Sequence, residues 1–418
     1  MRTLYISHNG MTEPLGQAQV LPYLVGLSRR GVGVEIVSFE RAGTTTDAIE
    51  EVRSRLDREG IRWQPMVRSP SHSLGRKVWE TSAAVLRGLA AALLRRPDIV
   101  HARSYLPGAA ADVIAKLSPG ARLLFDVRGM LADEAADGGS WPRGGVRFRL
   151  VKQYESYLFG HTAGMVVLTE ALRTILRRDA LVPAATPIEV IPCCVDEERF
   201  RVDPEARARM RAELGLGDRT VVVYSGTLGS WYKAKEMARF VGLLREQRPD
   251  AALLVLTHAD SSELVEAARA VGLRDADIFV RKVAPREMPS ALAAGDLGLS
   301  FIQPCFSKIG SSPTKVAEYL AAGLSVVVNE QVGDQAELLA DPDACVVLPS
   351  FDADALARGA AQAAKLLERP QELRAAAASR VARARFSLAE LGVPRYLALY
   401  ETLCAARATS HRTHGATS

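Results

Sequence analysis

Long apolar runs are missing from this 418-residue chain, and the stretches that come nearest to one are too short or too broken to cross a bilayer. The opening strand-like segment turns polar at His8 and Asn9, too early for the core of a secretory leader. The stretch from Val85 to Leu94 is interrupted by Arg87 and closed by Arg95 and Arg96. Cysteine is scarce. There are five, an odd number without metal-ligand spacing, and only Cys193 and Cys194 are close, which excludes a disulfide framework and indicates a reducing compartment. A strong charge imbalance is absent too: 53 Lys and Arg face 48 Asp and Glu, a diffuse +5. No basic stripe marks a nucleic-acid partner, although anionic substrates and lipid head groups suit the mild positive balance. No Asp-x-Asp dyad stands where it would hold a metal, so none is expected at the site.

What is present is an ordinary globular composition, 48% hydrophobic and 24% charged, in a chain long enough to need two cores. Short apolar runs alternate with amphipathic helical stretches, the pattern of βα units and parallel sheets. Strands are predicted at 4–6, 34–39, 99–101, 123–126 and 165–168, and in a second series at 221–224, 253–257, 278–280, 297–301 and 326–328. The strand-like run from Ile188 to Cys194 pauses this pattern before the Arg-rich helix from Glu205 to Leu214. The expected architecture is α/β: two facing, doubly wound parallel-sheet domains of Rossmann type, at 1–195 and 196–385. A terminal helix at 386–408, with Tyr396, Leu397, Tyr400 and Leu403 at helical spacing, is expected to dock on the first domain. Residues 409–418 read as a frayed tail.

Sheets of this kind bind ligands at the carboxyl ends of their strands, where helix N-termini offer free N–H groups to phosphate. The loop from His8 to Gln17 leaves the first strand and turns through Gly10 and Gly16; it reads either as a diphosphate approach or as a plain strand-to-helix turn. The richest segment runs from Phe306 to Gly323. Ser311 and Ser312 stand where caps belong, Pro313 suits the first helical turn, and Thr314 and Lys315 follow. A cation in a first turn opposes the helix dipole by roughly 0.3–1 kcal/mol unless an anion compensates it. Glu318, one turn on, can accept the two hydroxyls of a ribose. The plain alternative for Lys315 and Glu318 is a solvated helix pair. Likewise Arg103 and Arg128 end strands and fit either a site or a domain-edge salt bridge, and His101 fits either a site or a satisfied strand histidine.

This segment resembles the retaining glycosyltransferases of family 4, as do Val190 to Asp196, Tyr224 to Leu228 and Ala293 to Leu299. Phe125 to Gly129 and Gly138 to Trp141 are similar to members that assemble surface polysaccharides. The resemblance implies a GT-B fold, metal-independent transfer of a hexosyl group with retention, and no cofactor beyond a nucleoside-diphosphate sugar, with a UDP-sugar expected. Gly16, Lys233, Ser311, Ser312, Thr314, Lys315 and Glu318 are then expected at the donor, and Arg103, Arg128 and His101 at the catalytic step. The family often has two glutamates eight positions apart, but Gly310 stands at the first. An expected Arg is Thr227, so Lys315, Lys308, Arg128 or Arg103 must supply the missing charge. The acceptor is expected to be a glycan, a lipid-linked sugar or a small molecule. The basic and apolar run from Arg143 to Lys152 reads either as a solvated helix face or as peripheral contact with an anionic membrane at the inner face of a cytoplasmic enzyme's membrane. A nucleotide-sugar epimerase and a non-catalytic two-domain binding protein are the alternatives.

Overall fold

The computed structural model describes residues 1–68, 73–229 and 231–414. The chain divides into two compact units, Met1–Pro192 with Leu388–Ser418, and Cys193–Ser387. In the first, β1 (Arg2–Ser7), β2 (Gly33–Arg41), β3 (Arg62–Arg68), β4 (Ile99–Arg103), β5 (Arg122–Asp126), β6 (Gly164–Val167) and β7 (Ile188–Val190) form one parallel sheet in the order β3-β2-β1-β4-β5-β6-β7. In the second, β8 (Val221–Ser225), β9 (Ala252–Leu256), β10 (Ile278–Arg281), β11 (Leu297–Ser300), β12 (Ser325–Asn329) and β13 (Cys345–Leu348) run in the order β10-β9-β8-β11-β12-β13, again parallel. Each order reverses once, between β1 and β4 and between β8 and β11, which makes both units doubly wound.

The strands that hold these sheets are buried on both faces, and their sequences are continuous apolar runs for that reason. Val221 and Val223 join one core of the second unit while Val222 and Tyr224 join the other, so β8 alone contributes to both helix layers. Two strands lie outside the predicted set, β3 and β13. β3 is an edge strand that carries Pro65 between two arginines, and its half-exposed pattern conceals the pairing. β13 is only four residues long.

The chain enters the second unit at Cys193 and leaves it at Ser387. A helix, Val393–His414, then packs on the first unit and continues past the expected onset of fraying at 409; residues 415–418 lie outside the described residues. Val393, Tyr396, Tyr400 and Leu403 recur on one buried stripe. The space they need is made by small residues: a Cβ on Gly26 would stand 2.5 Å from Val393 and one on Gly164 3.0 Å from Leu403.

Candidate active site

In the second unit the loops leaving β8 and β11 carry most of the residues singled out by the sequence. Gly226 follows β8 with φ +100°, a conformation that suits glycine, and a Cβ there would lie 3.5 Å from the Lys315 amine. Lys315 comes from the helix Thr314–Ala321, which is locked to the strand ends by Tyr319. The Tyr319 hydroxyl accepts the Ser225 N–H at 2.7 Å, and its ring packs so close to β11 that a Cβ on Gly298 would stand 2.2 Å away.

The Lys315 amine is buried between two aromatic faces, 4.0 Å from the Tyr224 ring centroid and 3.8 Å from that of Tyr232. It has no hydrogen-bond partner among the described residues. Burial pulls it from the ordinary lysine value down to about 7. Burial likewise pushes the half-buried Glu318 up to about 7, with Arg199 and Lys315 opposing the shift. Aromatic faces stabilise an ammonium by only about 0.5–2 kcal/mol, so an anion placed here would restore its charge.

The helix start differs from the expectation. Pro313 occupies the N-cap itself with no side-chain cap, and the Ser312 hydroxyl instead accepts the Cys193 N–H at 3.0 Å. Ser311 donates its own N–H to the Lys308 carbonyl at 3.1 Å. The capping role expected of the two serines is thus corrected: Ser312 ties the start of the unit to this loop, and no side-chain cap covers the helix end beside half-buried Thr314. Lys233 pairs with Glu236 at 3.1 Å, and the Lys308 amine lies 3.9 Å from the Trp231 ring centroid. Arg199, whose charge acts on Glu318, was missed. It lies in the polar loop taken for a domain boundary, and only its place beside a motif residue would have flagged it.

In the first unit, His101, Arg103 and Arg128 do come together, but around a residue the sequence had not singled out. Asp126, fully buried at the end of β5, accepts from Arg128 at 2.5 Å and from the Tyr396 hydroxyl at 3.0 Å, with Arg103 and His101 Nε2 each at 3.7 Å. Burial favours the protonated acid, but Arg128, His101 and Arg103 prevail and hold this carboxyl well below its usual range. His101 Nδ1 lies 2.7 Å from the Tyr400 hydroxyl, and burial pushes the imidazole below its ordinary value. His101 is 1% exposed and Arg103 4%, and both lie beside the buried Asp126. Arg128 keeps part of its side chain exposed.

The first loop is also accounted for from within. The N–H of Gly10 is taken by Glu13 at 3.0 Å, and those of Met11 and Thr12 by Glu40 at 2.7 and 3.0 Å. Those three amides are therefore not open to a diphosphate. Gly16 is explained by packing, since a Cβ there would stand 2.1 Å from the Gly10 carbonyl oxygen. In the basic run, Arg143 pairs with Asp133 and Asp137, and Lys152 with Asp133 and Glu155. Val146 and Leu150 of the same run are exposed, and a second set of outward apolar side chains, Val78, Trp79, Leu86, Leu93 and Leu94, lies on the helix Leu74–Arg95. Among the described residues no helix is long and apolar enough to cross a membrane, and no group of three or more His, Cys, Asp or Glu is placed to hold a metal ion.

Residues 16–194 match the family described as glycosyl transferase 4-like domain, and residues 206–380 match glycosyl transferases group 1. A GDP-mannose-dependent alpha-(1-6)-phosphatidylinositol monomannoside mannosyltransferase of Mycolicibacterium smegmatis is 30% identical over 223 residues, 47% of this chain and 57% of that protein. Its counterpart in Mycobacterium tuberculosis is 28% identical over 200 residues, 42% and 51% of the two chains. The matched region thus spans little more than half the length of these curated relatives. Among solved structures, Anabaena Alr3699/HepE in complex with UDP and glucose superimposes with a TM-score of 0.70 at 15% identity, covering 96% of this chain and 99% of the other. A glycosyltransferase from Rickettsia africae gives 0.69 at 16%, covering 96% and 98%. At such identities the structures speak for the fold alone. Read unit by unit, the first carries a glycosyl transferase 4-like domain and the second a glycosyl transferases group 1 domain, in a two-domain Rossmann-like fold of GT-B type.

Proposed function

We propose that the protein transfers a sugar from a nucleoside-diphosphate sugar to an acceptor hydroxyl, and that the second unit holds the donor. The observation that carries this reading is the Lys315 amine, buried without a hydrogen-bond partner beside Gly226 and a helix start with no side-chain cap, at the switch point of the second sheet. A diphosphate there supplies the counter-charge that the fold withholds, and as the leaving group departs its growing charge meets a preorganised cation and helix dipole. Glu318, one turn along, accepts the ribose hydroxyls, with Arg199 holding its charge. Transfer with retention and without a metal, and a glycan or lipid-linked acceptor on the first unit near Arg128, complete the proposal. The outward apolar side chains of the helix Leu74–Arg95, together with exposed Val146, Arg147, Arg149 and Leu150 of the basic run, support peripheral contact with an anionic membrane.

The uridine donor expected from the sequence and the guanosine donor named for the relatives enter one test. UDP-, GDP- and ADP-sugars are titrated calorimetrically against wild type, Glu318→Gln and Glu318→Ala, and release of the nucleoside diphosphate is followed. One nucleobase should bind, with Glu318→Ala weaker than Glu318→Gln, because each charged hydrogen bond to ribose is worth about 1.5–3 kcal/mol. Unchanged affinity in Glu318→Ala would remove the donor from this helix, and binding without any turnover would favour a non-catalytic protein.

A further inference from the structure

The second unit has another concentration of charge that the donor site does not use. Thr220 and Asp296 immediately precede β8 and β11, so they mark the opposite end of the sheet from Gly226 and the helix Thr314–Ala321. A cavity of about 430 Å³ opens there, within the range of small-molecule sites. Its walls carry Arg207, Arg211, Arg219, Arg248 and Arg374.

One carboxylate, Asp296, is the ion-pair partner of Arg207, Arg211 and Arg374. It takes Arg207 at 2.7 Å and the Val221 N–H at 2.8 Å, leaving Arg211 at 3.4 Å and Arg374 at 3.5 Å. Arg219 is paired with Asp277 from outside the cavity, but Arg248 reaches Asp250 only at 3.8 Å and otherwise donates to the Thr220 hydroxyl. Asp218 is the other acid on the wall. Backbone carbonyls engage Arg207, Arg211 and Arg219 as well, Arg211 through Gly217 and Ala294 at 2.9 and 2.8 Å, whereas the guanidinium groups of Arg374 and Arg248 make no contact shorter than 3.2 Å. Burial lowers Arg374 and Arg211, and Arg207 adds to both shifts by repulsion. Arg374 and Arg248 are thus the loosely held members of a crowded set of cations, and guanidinium forks are the groups that bind phosphate oxygens in pairs.

We infer that this arginine-lined cavity binds a phosphate- or diphosphate-bearing small molecule, at a site separate from the donor. The inference does not rest on the donor assignment. Pyrophosphate is the probe, titrated by calorimetry into enzyme already saturated with nucleoside diphosphate, so that the helix Thr314–Ala321 is occupied. One additional binding event is expected. Arg248→Gln should weaken it about tenfold or more while nucleoside-diphosphate affinity stays unchanged. Arg374→Gln, checked for folding by circular dichroism, should do the same; because Arg248 plays no part in anchoring Asp296, its variant keeps the test decisive if Arg374→Gln misfolds. A vesicle arm, with phosphatidylglycerol against neutral lipid, separates the two sources of phosphate. Binding that depends on Arg248 only on anionic vesicles assigns the site to a lipid head group. No additional event up to about 10 mM pyrophosphate and no Arg248-dependent vesicle binding overturns the inference, as does equal binding by wild type and Arg248→Gln.

Discussion

Lys315 should take up a proton when the donor binds, and the amount can be worked from its surroundings. Its amine titrates near 7 because burial between Tyr224 and Tyr232 disfavours the charge. At pH 8 about 0.9 of the molecules carry it neutral. A diphosphate in contact returns the amine toward its ordinary range near 10, so binding at pH 8 takes up roughly 0.9 proton per site. Glu318, near 7, is already mostly ionised at pH 8 and releases only about 0.1 proton on staying so. The free protein thus binds fewer protons than the complex above pH 7. Affinity must therefore fall as pH rises, approaching tenfold or about 1.4 kcal/mol per unit, until the pKa of the bound amine is reached. Calorimetric titration of the nucleoside diphosphate at pH 8 in two buffers of different ionisation enthalpy measures the uptake directly. Lys315→Met removes the amine and keeps its apolar stem, so it should abolish the uptake, flatten the pH dependence and weaken binding about 10- to 100-fold at pH 6.5. Wild-type binding with no proton uptake at pH 8, or the same uptake in Lys315→Met, refutes the reasoning.

Two further outcomes follow from the same geometry. Lys233 is already paired with Glu236, so Lys233→Ala should lower turnover less than Lys315→Ala does, and the opposite order in steady-state kinetics would show that the diphosphate is misplaced. Pelleting with anionic liposomes should be reduced more by replacing Trp79 and Leu93 with Ser than by the Arg143, Arg147 and Arg149→Gln variant, since Arg143 is engaged by Asp133 and Asp137; the reverse order assigns the membrane face to the basic run.

How much of this was legible in the sequence depended on whether a signal was local. The buried strands announced themselves, because a strand covered on both faces must be apolar throughout, as Val221 to Tyr224 are. β3 did not, since an edge strand with Pro65 and charged ends has no such constraint. Lys315 and Glu318 stood out as candidates because both lie within one helix turn, whereas the rings of Tyr224 and Tyr232 that enclose the Lys315 amine come from a distant part of the chain. The reading failed where a residue's partner is remote in sequence. Asp126 meets Tyr396 across 270 positions and His101 meets Tyr400 across 299, and no spacing rule connects them. Glu40 binds the amides of Met11 and Thr12 from the far end of β2, so of the two readings open for the loop around Gly10 and Gly16 the plain strand-to-helix turn accounts for it, and no local spacing revealed that the chain supplies its own anion.

These remote contacts give the terminal helix a specific task in the first unit. Asp126 holds two arginines and a histidine in a dry interior, an arrangement whose desolvation cost is recovered only if every lone pair and donor is well placed. β4 and β5 supply the charged groups, and Arg128 follows two residues beyond Asp126, but two of their hydrogen-bond partners, the hydroxyls of Tyr396 and Tyr400, come from the helix that follows the second unit, and Asp126 Oδ1, His101 Nε2 and Arg103 Nη1 still find none among the described residues. Tyr396 bonds both Asp126 and Arg128, which fixes the guanidinium of the residue whose side chain is the least buried of the three. The helical spacing of Val393, Tyr396, Tyr400 and Leu403 therefore encodes more than a docking stripe. Its apolar members secure the helix, and its two tyrosines set the charges at the carboxyl ends of β4 and β5, where a doubly wound sheet meets its ligand.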